Sequence, residues 1–444
     1  MRPSRRQRLQ EISKRIGRRK LVFFGTRGTD SRPLLEFEQF RHCICLVAPL
    51  SALSMSNECC LETLSRVRVD LNTYHTDTDY SEEASLLHQS LLRACDEPSV
   101  LMTYRPAEFL TSVYFPRTDI TQYLGVFDGL ATMLEHKPFV ETSLRDAKIH
   151  VIDWRYFADE DMPRLAEAIS HRPHVLRINR SSGGKGLILA RSPEELLTIL
   201  PSHSDRFLGA APFLDPNIPL NIGACVFRDG SVTLHTPSLQ LIGLDCCTGR
   251  QFGYCGNDWG RVRELDLGVL DSLEEMALNI GHWLYGMGYI GAFGIDAIVH
   301  QGKVFLAEIN VRFQGSSATS AELDSQMNIP DIYDDHMAAL FNLSAPAPLH
   351  VRDLACEQPP TSQIFCYNPR AQELELGANP VAVRTSFQLD LLPAPGIRVA
   401  QEGILFKAVV NGSVTNDGQS LPQNLRDELE TLKAYLFTTI PAPR

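Results

Sequence analysis

The chain has 444 residues, too many for one ordinary core, and at about 100 to 200 residues per domain it divides into two to four units. With 44% hydrophobic and 21% charged residues it can bury a sizeable core, which excludes wholesale disorder and a fibrous fold. A formal net charge of −11 excludes a general nucleic-acid binder, because neutralising phosphates needs a basic surface.

The first 20 residues run against this acidic balance, with nine Lys or Arg against the single Glu11, and Leu9, Ile12 and Ile16 fall at roughly helical spacing. Such charge runs are ordinarily solvated tails; an acidic partner is the functional alternative. No apolar signal-peptide core follows. The longest apolar stretch, around Cys43 to Leu50, is broken by Pro49 and falls well short of the roughly 20 residues that span a bilayer. A soluble protein with no membrane partner is expected. Eleven cysteines include the adjacent pairs Cys59/Cys60 and Cys246/Cys247 but no CxxC, which points to reduced thiols in a cytoplasm. Cys246, Cys247 and Cys255 with His235 upstream match no common zinc spacing.

Residues 21 to 25 (LVFFG) and 43 to 48 (CICLVA) read as short buried strands, and Ser81 to Ala94 has helical spacing, so an N-terminal α/β unit is predicted. After Lys137-Pro138 a helix within ETSLRDAKIHVIDW leads to the strand-like HVLRIN and LILA. Ser192, Pro193 and Glu195 form a capping box opening a helix. Residues 222 to 227 and 231 to 235 flank Arg228-Asp229-Gly230, a hairpin signal. Leu273, Met276, Ala277, Ile280 and Leu284 mark a helix ending near Gly286 and Gly288, and another hairpin is centred on Gly302. Beyond Ala345-Pro346-Ala347-Pro348 come short apolar runs and a closing helix from about Gln423 to Phe437, a small α+β appendage.

Two motifs carry chemistry. SSGGKG (Ser181, Ser182, Gly183, Gly184, Lys185, Gly186) joins two strands and lacks the spacing and following helix of a Walker loop. Glycines around a lysine in such a turn can form a flap whose amides and ammonium cover polyphosphate, although ligand-free Gly-rich turns are common. The second motif, GAFGIDAIVHQGKVFLAEINVRFQGSS from 291 to 317, is more specific. Alternation puts Glu308, Asn310 and Arg312 on one strand face, and Asp296 lies as far before Gly302 as Glu308 lies after it, so the hairpin pairs them. Two carboxylates and an amide oxygen converging in an apolar hairpin call for a cation; hard oxygens suit magnesium, and Arg312 can meet phosphate oxygens. The alternative is a solvated acidic face.

The order of Gly-rich flap, Gly-x-Asp strand and Glu-Ile-Asn-x-Arg strand resembles the ATP-grasp superfamily over roughly residues 130 to 340. The resemblance implies an α/β and α+β multidomain fold: a basic segment at 1–20, a pre-ATP-grasp-like α/β domain at 21–135, an ATP-grasp domain of two α+β subdomains at 136–345, and the appendage at 346–444. It implies ATP under the flap and magnesium, for which manganese can substitute, on Asp296, Glu308 and Asn310. It implies Arg312 as the catalytic residue. It further implies phosphate contacts from Arg177, where Lys is more usual, and from Lys148. The adenine hinge falls on GAAPFL, 209 to 214, with Phe213 and Leu214, although the Glu often found there is absent. Gly315, Ser316 and Ser317 match the loop that holds a substrate carboxylate in amino-acid ligases; as plain structure they cap the next helix. FFGTRG, PSLQLIG and GNDWG resemble the peptide-ligase group related to the pheganomycin ligase.

The implied reaction joins a small-molecule carboxylate, an amino acid or peptide, to an amine through an acyl phosphate with release of ADP. A homodimer is compatible with this. The alternatives are a kinase or a carrier-protein thioester ligase with the same grasp, and a non-catalytic nucleotide sensor. No GxSxG, HExxH or GxGxxG motif offers competing chemistry, and isolated histidines such as His282 read as structural.

Overall fold

The computed structural model describes residues 4–48, 58–107, 110, 119–177, 183–199, 207–377 and 385–440. Helix α1 (Arg5–Ile16) opens the chain under a capping box, in which the Ser4 hydroxyl accepts from Gln7 N–H and the Gln7 side chain from Ser4 N–H. This segment is not a solvated tail. Ile12 and Ile16 are buried, and so are Arg5 and Arg8. The Arg5 guanidinium lies 2.9 Å from Asp331 and 3.1 Å from Asp334, and it also binds Glu36. The compensating acids at 331 and 334 are more than three hundred residues away, where local charge counting cannot see them.

The first sheet is wholly parallel. It comprises β1 (Lys20–Arg27), β2 (Phe40–Val47), β3 (Glu58–Cys60), β4 (Ser99–Thr103) and β5 (Thr121–Leu124), in the order β3-β2-β1-β4-β5. Its strands are apolar on both faces, as covered parallel sheets require. Helix α2 (Glu82–Ala94), capped by Ser81, sets Leu87 and Leu91 against Val22 and Leu46 on one face. The carboxyl ends of β1 and β4 carry Arg27, Tyr104 and Arg105 toward the functional site.

Two helices, α3 (Lys137–Asp146) and α4 (Met162–His171), accompany the second sheet, formed by β6 (Arg155–Ala158), β7 (His174–Arg177), β8 (Leu187–Ala190) and β9 (Phe207–Pro212) in the antiparallel order β6-β9-β7-β8. Leu165 and Ile169 of α4 bury against Leu176 and Ala210.

The third sheet has nine strands: β10 (Ile218–Val226), β11 (Val232–Leu234), β12 (Ser238–Ile242), β13 (Tyr254–Asp258), β14 (Gly291–His300), β15 (Lys303–Asn310), β16 (Thr361–Tyr367), β17 (Gln388–Asp390) and β18 (Ile404–Asn411). Eight run in the order β15-β14-β10-β12-β13-β16-β18-β17, with β11 on β10. Leu273, Ala277 and Ile280 of α5 (Leu267–Gly286) pack on Ile222, Ile295 and Leu306, the apolar side of this sheet. The sheet takes strands from both sides of residues 345/346, so β16 and β18 continue the sheet of the hairpin rather than starting a new one. Helix α6 (Ile332–Leu340) receives α1, and α7 (Gln423–Leu436) packs in the C-terminal core with Leu429 and Leu432. Among the described residues no helix is long and apolar enough to cross a membrane.

Candidate functional site

Strands β14 and β15 meet in a two-residue turn, Gln301-Gly302, with φ of 50° and 74°, the left-handed pair of a tight hairpin. Pairing from that turn runs His300 to Lys303 and Ala297 to Leu306, which would set Asp296 opposite Ala307. A bulge at Ala307 shifts the register by one, and Asp296 faces Glu308. The sequence expectation placed the pair correctly, but through a turn centred on Gly302; the true turn is centred half a residue earlier, and the bulge makes up the difference. Without it Glu308 would point to the core beside Leu306 and Ile309.

Around Asp296 the neighbouring strands supply neutral donors. Its Oδ1 accepts from Asn221 Nδ2 at 2.8 Å, Gln240 Nε2 at 2.9 Å and Gln314 Nε2 at 2.9 Å, and its Oδ2 from Asn310 Nδ2 at 3.1 Å. Burial, reinforced by the facing charge of Glu308, pushes the Asp296 carboxyl up to about 6. Burial acts on Glu308 too, but the Lys137 ammonium bound to it outweighs that and holds it below its ordinary value. Gly294 is required because a Cβ there would lie 1.8 Å from Gln314 Oε1.

Arg312 donates through Nη2 to Asn310 Oδ1 at 2.8 Å and through Nη1 to the Phe313 carbonyl at 3.1 Å, with Glu135 3.6 Å from Nε. Arg177, only 5% exposed, lies 4.0 Å over the Trp154 ring and donates to Glu141 at 2.7 Å and to the Tyr156 hydroxyl. Asp296, Glu308, Asn310, Arg312 and Arg177 all line one cavity of about 380 Å³.

Lys148 does not join them. It sits exposed beyond the end of α3 at φ 62°, outside the cavity lining, whereas Lys137 at the start of α3 lines the cavity and pairs with Glu308. The Lys137-Pro138 step, read as a boundary, was the available signal: Pro in a helix's first turn marks a helix start, and helix starts face anions.

Ser181 and Ser182 lie outside the described residues. Gly183 and Gly184 line the cavity at φ +55° and +77°. A Cβ on Gly183 would fall 2.3 Å from the Asn72 side chain, and one on Gly184 1.9 Å from the Phe252 carbonyl oxygen, so the turn is pressed against the rest of the cavity wall. Lys185 is exposed, and neither it nor Gly186 is part of the lining. Phe213 and Leu214 do line it, and Phe213 N–H is committed to the Pro173 carbonyl at 2.9 Å. Gly315 and Ser316 line it as well, Ser316 Oγ donating to Asn221 at 2.7 Å. Ser317 lies beneath, its Oγ accepting from Gln314 N–H at 2.8 Å at the start of the helix Ser317–Gln326, whose N-cap, Ser316, makes no side-chain cap bond.

The amide cage of Asn221, Gln240 and Gln314, the ion pair from Lys137, and Arg105 escaped the sequence reading; the first two amides were visible only as single polar residues in apolar strands. Elsewhere, Cys246 lies 3.7 Å from Cys247, Cys366 lies 3.9 Å from Cys247, and His235 pairs with Asp324 at 2.8 Å. Among the described residues no group of three or more His, Cys, Asp or Glu could hold a metal ion. The hairpin offers two carboxylates and one amide oxygen, a donor set of the hardness magnesium takes when phosphates and water complete its shell.

A parallel α/β unit, a four-stranded antiparallel unit carrying a glycine turn, and a large sheet bearing Asp, Glu, Asn and Arg on one hairpin together have the architecture of the ATP-grasp fold. Solved structures agree. Biotin carboxylase of Campylobacter jejuni, in complex with an ATP species, superposes with a TM-score of 0.61 at 13% identity over 95% of this chain and 92% of that one. The biotin carboxylase domain of Hydrogenobacter thermophilus 2-oxoglutarate carboxylase, with MgADP and bicarbonate, gives 0.62 at 13% over 96% and 92%. Carboxyaminoimidazole ribonucleotide synthase of Aspergillus clavatus, complexed with ATP, gives 0.59 at 15% over 93% and 99%. The fold is the ATP-grasp fold. No family model and no curated protein matches the sequence.

Proposed function

We propose that the chain is an ATP- and magnesium-dependent carboxylate–amine ligase that activates an amino acid or peptide as an acyl phosphate, releases ADP, and passes the acyl group to an amine. The observation that carries the reading is the bulged hairpin, which presents Asp296, Glu308, Asn310 and Arg312 to one cavity with the glycine turn across it. Magnesium on those oxygens supplies charge neutralisation for the transferring phosphoryl group.

The residues' own roles follow from their present partners. Lys137 sits on Glu308 and Arg312 on Asn310, so two of the three candidate metal ligands already carry a cationic side chain that would be free for phosphate oxygens if a cation took its place. Arg177, held by stacking and Glu141, presents a fixed charge to the nucleotide. The amide cage keeps Asp296 oriented without spending a charge on it. Positioning and neutralisation then do the catalysis, and no side-chain nucleophile is required.

The test is a screen of the standard amino acids in pairs with ATP and magnesium. Stoichiometric ADP and phosphate, with a product whose mass is the sum of the two substrates less water, is expected. AMP and pyrophosphate, a phosphorylated end product, or no nucleotide consumption with any pair overturns the reading.

A further inference from the structure

The half of the cavity against the first sheet carries charge that the phosphate end does not account for. Arg27 ends β1 and Arg105 follows β4, at the carboxyl edge of a parallel sheet, where such sheets bind ligands. Arg27 is committed: Asp30 takes its guanidinium at 2.9 Å, and it lies 5.7 Å and 5.2 Å over the rings of Tyr104 and Phe365. Arg105 is not. Its Nη2 donates to the Tyr74 carbonyl at 2.8 Å, which fixes the head, and among the described residues no carboxylate lies within ion-pair distance of it. Burial, and after it the charge of Arg312, hold Arg105 below the ordinary guanidinium value, which Glu135 and Asp77 offset only in part. Two guanidiniums that repel each other across a lined cavity are relieved by an anion.

Apolar and aromatic side chains line the same cavity: Leu71, Tyr104, Tyr254, Tyr367 and Ile404. Of the acids nearby, Asp30 is taken by Arg27, Asp70 by Arg250 at 2.5 Å and Glu135 lies 3.6 Å from Arg312.

We propose that Arg105 anchors the free carboxylate of an amino-acid or peptide substrate, with the tyrosines and aliphatic side chains enclosing an apolar or aromatic side chain. This rests on the ligase reading and names its substrate class: the acceptor amino acid or peptide, whose carboxylate is not consumed and is held by a charge-assisted fork at Arg105 while its amine, deprotonated for attack, faces the acyl phosphate at the Arg312 end.

Binding and turnover are measured separately. Saturation-transfer NMR in the presence of ADP and magnesium compares each standard L-amino acid with its carboxamide on the native chain and on Arg105→Met. Apolar and aromatic free acids should bind the native chain, and loss of either the carboxylate or the guanidinium should weaken binding roughly 10- to 100-fold, the scale of one charge-assisted pair. Arg105→Lys should retain part of the acid preference, and unchanged ADP affinity in both variants shows that the fold is intact. Carboxamides that bind as well as acids, Arg105→Met with native acid affinity, or no free acid bound by the native chain overturns the subsite. ADP release reads the ligase chemistry on its own: acid binding that follows Arg105 without ADP release from any pair sinks the ligase reading and leaves the subsite, whereas ADP release with acids and carboxamides alike does the reverse.

Discussion

Asp296 and Glu308 face each other on one rung of a hairpin, yet burial and the facing charge of Glu308 raise the first, against the amide hydrogen bonds that lower it, while a lysine lowers the second. Pushing the two apart in this way lets like charges coexist until a cation arrives. Arg312 is tied to Asn310 and close to Glu135, and on the proposed reading it serves the phosphoryl group. Replacing Arg312 by Ala should lower kcat about 100-fold while ATP affinity stays within about tenfold, since a group matched to developing charge acts on the barrier. Lys should restore only part, because a point charge does not reproduce a fork. Steady-state rates and nucleotide binding on one preparation check this; equal losses in both would remove Arg312 from the transition state. A second residue sets a pH dependence away from the site. His336 is buried, accepts Ala292 N–H on Nδ1 at 3.0 Å and bonds the Leu124 carbonyl through Nε2 at 3.3 Å, and burial lowers it from 6.5 to about 4. A depressed histidine stabilises the fold above its unfolded value, and that stability is lost as pH falls from about 6.5 toward 4, up to about 3 kcal/mol. Thermal melts of the native chain and His336→Asn across this window should converge as pH falls; parallel curves would refute the assignment.

At the scale of elements, the glycine turn and the hairpin were legible because turns and alternation are local. The hairpin's apolar side, Leu306, Ile309 and Val311, is set by the core under α5, and the bulge at Ala307 reconciles that side with a two-residue turn; no residue at 307 announces it. Lys137 is not legible as a cavity residue because sequence distance does not say where α3 begins to face the cavity, and the amide cage needs three strands and the loop after β15, from four parts of the chain. The turn gives an element-level test. At Gly184 an alanine meets a φ of +77° and the Phe252 carbonyl, so the turn seen here is disfavoured by more than the roughly 1–2 kcal/mol of the backbone strain alone and KM for ATP should rise about tenfold or more. Gly302→Ala, in open space at φ +74°, bears the backbone strain without the clash and should leave KM for ATP unchanged. Kinetics on both variants decide it, and an unaltered KM in Gly184→Ala would mean that the turn does not close on nucleotide.

Across the whole molecule, long-range partners decide what composition could not. The basic N-terminus, read as a tail, is a helix whose Arg5 closes on Asp331 and Asp334 of the helix cap beneath it. Arg5→Ala leaves those buried carboxylates without their cation and should cost about 3–5 kcal/mol in urea unfolding; a change under about 0.5 kcal/mol would return α1 to a tail. The large sheet likewise joins β14 and β15 to β16 and β18, so strands that carry the site and strands after residue 345 share one ladder. The reaction proposed for this assembly makes one atom traceable. With substrate carboxylate labelled with ¹⁸O, attack on the γ-phosphate and displacement by the amine must leave one labelled oxygen in the inorganic phosphate and none in the nucleotide. Mass spectrometry of the released phosphate measures it. Label in the phosphate is the predicted result; unlabelled phosphate, or label recovered in AMP, would contradict the account.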